Sequence, residues 1–346
     1  MSLVSYQEVV SSLNKKKRPK HLLLGNGFSM SYDNNIFSYN ALSNFVAKTK
    51  DELLQKLFSI INTTNFETVM NQLDTFYKLA SNFLEDKKLA KKILKARDSL
   101  KQNLVSAISE LHPAHVFKIP KKSSHACATF LKEYLDNDGH VFSTNYDLLL
   151  YWILMSNQDQ IKNIIDGFGR EYIKNENEEN SEPEFGDLEW GPNHVDQRVH
   201  YLHGALHIFD TGISITKEIY NKDDYLLTNI KKRIEDKEYP VFVTAGDGKQ
   251  KLAHILHNQY LDYCYKALST ITGSLVVFGF GFGKYDEHII DAINKAAKQK
   301  IPDRLWSVYI GIYSHKDEKY INSIVSKFGC KIKLFDSRTV GLWNRN

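Results

Sequence analysis

The stretch His21-Leu22-Leu23-Leu24-Gly25-Asn26-Gly27-Phe28-Ser29 constrains the fold of this chain more than any other. An apolar run stops at two glycines separated by one residue, and a small hydroxyl residue follows. This is how a buried parallel strand turns into a helix while leaving its backbone open to a diphosphate. Read so, Gly25 makes the tight turn and Gly27 omits the side chain that would block a phosphate. The amides that follow then face the anion. Strand–glycine–helix turns also arise from packing alone, so the stretch commits the chain to an α/β layout before it commits it to a ligand.

Further strand-to-helix switches follow the first. Gly139-His140-Val141-Phe142-Ser143-Thr144-Asn145-Tyr146-Asp147 is a strand ending in polar residues, and an apolar helix from Leu148 to Met155 succeeds it. Ser143 or Thr144 can cap that helix, and Asp147 suits its first turn. Capping leaves Asn145 and Asp147 together unexplained, and strand carboxyl ends are where open α/β sheets hold ligands. Arg198-Val199-His200-Tyr201-Leu202-His203-Gly204 is a strand with a histidine at its carboxyl end. Tyr239–Gly246 predicts another strand and Leu252–Thr270 a helix. Gly273–Phe278 then empties into Gly279-Phe280-Gly281-Phe282-Gly283 before a helix over Glu287–Lys298. Strands at Leu305–Tyr313 and Ile332–Phe335 complete the series. Short apolar strands alternating with helices predict an α/β fold with a doubly wound parallel sheet.

Three segments stand apart from that core. Residues 1–20 read as an amphipathic helix with Leu3, Val4, Val9, Val10 and Leu13 apolar, then a basic lead-in, Asn14-Lys15-Lys16-Lys17-Arg18-Pro19-Lys20. Residues 40–111 are helical. Leu53, Leu54, Leu57 and Ile60, then Phe66, Val69, Met70 and Leu73, then Leu84, Leu89, Ile93, Leu94 and Leu100 recur at helical spacing. This exceeds one crossover and predicts an inserted helical layer, with 21–39 and 112–346 as the core domain. Ser29–Tyr39 reads as a loop over the first turn, with turn chemistry at Asp33-Asn34-Asn35. His112 and His115, flanking Pro113, read as helix-end caps. The acidic run Asn175–Glu184 reads as a surface excursion or lid.

A net charge of +4 on 346 residues gives no reason to expect nucleic acid as a partner. Three scattered cysteines, Cys127, Cys264 and Cys330, fit neither a zinc ribbon nor a disulfide framework. No leader and no membrane span are visible, so the expected location is cytoplasmic. Gly279–Lys284 is not a P-loop: its glycines are one residue too close, and Tyr285 stands where a magnesium-binding hydroxyl is required. The Gly25 turn lacks the third small residue of the hydride-transfer fingerprint, which disfavours an ordinary dehydrogenase.

Four pieces, Gly25–Ser29, Ser143–Asp147, Leu202-His203-Gly204 and Phe278–Gly281, fall in order at strand ends. Together they resemble the sirtuin fold, and more closely the divergent sirtuin-like domains of bacterial anti-phage systems. The resemblance implies a Rossmann-like core with NAD+ as substrate and no metal. It implies that Gly25, Asn26, Gly27, Phe28 and Ser29 cradle the diphosphate, and that Asn145 and Asp147 hold the nicotinamide ribose and carboxamide, beside Ser143 and Thr144. It implies His203 as catalytic base and Gly279, Phe280 and Gly281 at ribose and phosphate. The chain departs from the family's deacylases: the four-cysteine zinc module is absent, Asn26 replaces the usual alanine, and Phe280-Gly281 replaces a small hydroxyl pair. Those departures imply an NAD+ glycohydrolase acting in defence, with a homo-oligomer or a separately encoded partner such as a ring ATPase. Two other readings remain: a nucleotide sensor without turnover, with Phe28, Phe280 and Phe282 holding a base, and an ADP-ribosyltransferase or deacylase.

Overall fold

The computed structural model describes residues 3–37, 52–61, 66–84, 87–170, 172–173, 184–236, 238–243 and 246–343. Residues 40–51 of the predicted helical layer and most of the acidic run, 175–183, lie outside the described residues. The fold is α/β, a Rossmann-like doubly wound parallel sheet. Its seven strands run in the spatial order Val4–Ser5, Lys331–Asp336, Leu305–Ile312, Gly273–Phe278, Lys20–Leu24, Val141–Ser143, Val199–Tyr201. Every pairing within it is parallel. Such strands are covered on both faces and read as continuous apolar runs. Leu22–Leu24 and Leu275–Val277 are accordingly without solvent exposure.

The winding decides where a site can form. From Lys20–Leu24 the chain steps outward through Val141–Ser143 to Val199–Tyr201. It then returns to Gly273–Phe278, on the other side of Lys20–Leu24, and steps outward the opposite way. The reversal lies between two adjacent strands whose register pairs Leu24 with Phe278. Open α/β sheets take ligands outside the carboxyl ends of the strands at such a reversal. Both glycine turns begin there.

The structure revises several local expectations. Tyr6–Lys16 is a helix with a Ser5–Glu8 capping box, and its Tyr6, Val9, Val10 and Leu13 join the main core. The lead-in is therefore part of the central unit, and Lys20 within the basic run is buried and paired with Glu133. Ser29 lies inside a helix, Asn26–Tyr32, where a loop was expected. Asp33 then accepts from Asn35 N at 2.9 Å, and a one-turn helix, Asn34–Phe37, follows. The helix expected over Leu252–Thr270 is two helices, Gly248–Leu256 and Gln259–Thr270. Asn258 restarts the second by accepting from Leu261 N at 3.1 Å, as an N-cap does.

The helical layer, Glu52–Ile61, Phe66–Phe83 and Lys88–Leu111, has its own buried cluster of Leu54, Phe58, Val69, Met70, Leu73, Ala96 and Leu100. Leu53, Ile60, Leu84 and Leu89, counted on the core face by periodicity, are exposed. An antiparallel second sheet of five strands, Pro240–Phe242, Gly204–Asp210, Ile215–Lys217, Glu189–Trp190 and Phe168–Gly169, was not foreseen. No helix among the described residues is long and apolar enough to cross a membrane.

Candidate functional site

The two glycine turns lock into each other. Gly25 N donates to Phe278 O at 3.0 Å, Gly27 N to Gly279 O at 2.8 Å, and Phe28 N to Gly25 O at 2.8 Å. A Cβ on Gly25 would sit 2.6 Å from Gly279 O, and one on Gly27 would sit 2.6 Å from Gly279 Cα. Gly25 itself is extended, with φ −119° and ψ −173°, which any residue adopts. Glycine is required at both positions by the approach of the neighbouring turn, and Gly279, at φ +70°, needs it for its own backbone too. Packing thus supplies a reason for glycine at position 27 besides the expected access of a phosphate, and the amides of Gly27 and Phe28 are engaged within the turns. Gly281 faces open space.

The aromatic residues beside the turns divide the same way. Phe28 is fully buried, 5.2 Å from the ring of Trp343, and offers a ligand only its backbone. Phe282 is buried against Phe328 at 5.2 Å. A base held by all three phenylalanines is therefore excluded, and Phe280, partly exposed, is the one available. Asn26 turns its amide to Met30 Sδ at 3.2 Å.

Ser29 carries the first turn to the second strand end. Its Oγ donates to Asp147 Oδ2 at 2.6 Å and accepts from Asn145 Nδ2 at 3.0 Å. Asp147 Oδ1 accepts from Leu149 N at 2.9 Å. Burial raises the Asp147 pKa, opposed by the bonds from Ser29 and Leu149. Both of its oxygens are engaged inside the protein, so Asp147 holds Ser29 and, through it, Asn145. Ser143 and Thr144 do not cap the helix Leu149–Met155. Ser143 Oγ accepts from Asn145 N at 3.1 Å, and Thr144 Oγ1 donates to Leu24 O at 3.2 Å. His112 Nε2 accepts from Leu148 N at 3.1 Å, so it braces the start of that helix. Among the described residues, Asn145 Oδ1 alone in this group is buried with no hydrogen-bond partner.

His203 stands at the same rim. Gly204 after it has φ +79°, and a Cβ there would meet Val241 O at 1.8 Å, so only glycine turns the chain here into the second sheet. The His203 ring lies 6.4 Å from that of Tyr146, which sits between Asn145 and Asp147. Its Nε2 is 2.8 Å from Nε2 of His288, in the helix Glu287–Ala297 beyond the Gly279 turn. Burial, then His288 and Lys251, push the His203 pKa well below the usual histidine range. Burial and Lys251 lower that of His288 to about 3. Both rings are neutral at pH 7.

His203, Asp286 and His288 offer ligand atoms within 4.8 Å of one another, a spacing that could hold a divalent cation. Lys251, without side-chain exposure, places Nζ 3.2 Å from Asp286 Oδ1, and its positive charge opposes a second cation. The four predicted pieces thus meet at one rim through Ser29–Asp147, Ser29–Asn145, Tyr146–His203 and the interlocked Gly25 and Gly279 turns.

A family model described as a domain of unknown function, DUF4917, matches residues 22–343. The chain belongs to the DUF4917 family. No curated protein matches it. In this DUF4917 chain the match begins inside the strand Lys20–Leu24 and ends at Trp343, which packs on Phe28 and Tyr32. Sequence reasoning missed His288, Lys251 and Asp286, which lie within the match. His288 and Asp286 follow the second glycine turn by a few residues, and that proximity was the one signal available.

Proposed function

We propose that this protein is an NAD+ glycohydrolase, breaking the nicotinamide–ribose bond of NAD+ by attack of water. The observation that carries the proposal is the acceptor of Asn145, without a partner among the described residues, buried just past the carboxyl end of the strand beside Lys20–Leu24 and steadied by Ser29 and Asp147. A buried acceptor without a donor is unfavourable, and a ligand hydroxyl, amide or water relieves it.

The chemistry suits these groups. Bond breaking develops oxocarbenium character at the anomeric carbon, and nicotinamide leaves as a neutral molecule, so no strong acid is required. Asn145 Oδ1 accepts from a ribose hydroxyl or the attacking water and orients it. Neutral His203 takes the proton that water loses. Asp147 acts through Ser29 by holding Asn145, a narrower role than contact with the carboxamide. The role in phage defence by NAD+ depletion, with homo-oligomerisation or a separately encoded partner, rests on the sirtuin resemblance.

The test is nicotinamide release from NAD+ by the purified chain, compared with Asn145→Ala and His203→Ala. Each is expected to lose about 10²–10⁴-fold in rate; unchanged rates in both refute the assignment. A second reading is binding of NAD+ or ADP-ribose without turnover. It is favoured by the engagement of His203 Nε2 with His288 and of the Gly27 amide with Gly279. Saturable heat of NAD+ binding without nicotinamide release would establish that reading instead.

A further inference from the structure

We infer that His288 is the positioning residue of His203: it occupies Nε2 of His203 and leaves Nδ1 as the ring nitrogen that meets the reacting water. The inference rests on the hydrolase reading of this rim. At 2.8 Å between two Nε2 atoms, one ring donates and the other accepts, so the pair shares a single proton. Whichever ring holds it, His203 Nε2 is consumed. His203 can then act as a base only when the shared proton lies on its own Nε2 and its Nδ1 is a free lone pair. In that arrangement His288 Nε2 is the acceptor, and the ring proton of His288 lies on Nδ1.

The surroundings show why the second ring is needed. His203 is the last residue before a turn that only Gly204 can make, so its backbone is fixed while its ring is set by contacts. His288 sits in the first turn of Glu287–Ala297, where the helix dipole disfavours a positive ring. Three ionisable groups face the pair: Lys251 from the helix Gly248–Leu256, Asp286 at the head of the His288 helix, and the Tyr146 phenol, which donates to Val243 O at 2.8 Å. Lys251 opposes protonation of both rings, so His203 is neutral before the water gives up its proton. His288 Nδ1 is buried without a partner among the described residues, whichever ring holds the shared proton.

The step balances as written. A water O–H bond breaks as the His203 Nδ1–H bond forms, and the water oxygen bonds to the anomeric carbon. The carbon–nitrogen bond breaks, with its electron pair leaving on nicotinamide. The proton on His203 passes to solvent when the products depart.

The experiment pairs kinetics with nitrogen NMR on the full chain. His288→Leu is expected to lower kcat for nicotinamide release about 100-fold, with KM for NAD+ within about threefold. His288→Gln, whose amide can donate or accept at the same place, is expected to recover to within about tenfold of wild type. Wild-type kcat in folded His288→Leu overturns the inference. In 15N-histidine-labelled wild type at pH 7, His203 should be the Nε2–H tautomer and His288 the Nδ1–H tautomer, and the reverse assignment overturns the inference. Finding both in the same tautomer overturns it as well. A wild-type chain that releases no nicotinamide refutes the hydrolase reading alone, and the tautomer spectrum still decides the pairing.

Discussion

Replacing Gly27 by alanine separates packing from phosphate access as the reason for that glycine. The new Cβ would lie 2.6 Å from Gly279 Cα and 3.0 Å from Gly279 O, both backbone atoms that no rotamer change can move. Reaching an ordinary contact needs the turns to part by about 0.8 Å. That strain is worth about 1–3 kcal/mol. Parting also stretches the Gly27 N to Gly279 O bond, now 2.8 Å, for about 1 kcal/mol. Alanine's better helix propensity returns up to about 1 kcal/mol. The expected net loss is about 1–3 kcal/mol, read as a lower urea midpoint at unchanged m-value. Gly281→Ala is the control, since nothing lies within 4 Å of its added Cβ, and it should fall within about 0.5 kcal/mol of wild type. If Gly27→Ala is as stable as that control and loses only NAD+ binding, the interlock is wrong and phosphate access is what requires glycine.

Ser29→Ala removes the donor to Asp147 Oδ2 and the acceptor of Asn145 Nδ2; it should cost about 2–3 kcal/mol in urea unfolding, and wild-type stability would refute the buried network. Burial lowers the pKa of His21 and His288 to about 3 and of His112 and His140 to about 4, and holds His200, His203 and His207 well below the usual range. Above pH 6.5 both folded and unfolded histidines are neutral, so these groups contribute no pH dependence; as pH falls through 6.5 only the unfolded chain binds protons. Each of the four groups lowered to about 3 or 4 should therefore remove about 2 kcal/mol of stability by pH 5, together a large share of the stability of an ordinary domain, and an unfolding free energy flat from pH 7 to 5 would refute it. Dialysis against a chelator should leave the melting temperature unchanged because Lys251 opposes a cation beside Asp286; a loss restored by Zn2+ would show that His203, Asp286 and His288 hold one.

Much of the fold is readable from the chain because burial imprints itself locally. Leu22–Leu24 and Leu275–Val277 are apolar at every position because both faces of a parallel sheet are covered. Val69, Met70 and Leu73 recur at helical spacing because one face of their helix is buried. Asn145, Asp147 and His203 could be singled out because polar residues at strand carboxyl ends are otherwise hard to explain. Part of the second sheet escaped because strands of two or three residues, such as Glu189–Trp190 and Ile215–Lys217, are too short to show a period.

The amino-acid order thus determined the alternation of strands and helices and the polar residues at their ends, since each depends on neighbours a few positions away. The tertiary structure alone decided that Gly27 makes room for Gly279, that Asp147 is spent on Ser29, and that His203 is paired with His288 across 85 positions of chain. Those are contacts between segments remote in sequence, made only once the sheet order closes, and a residue's distant partner leaves no mark on the pattern around it.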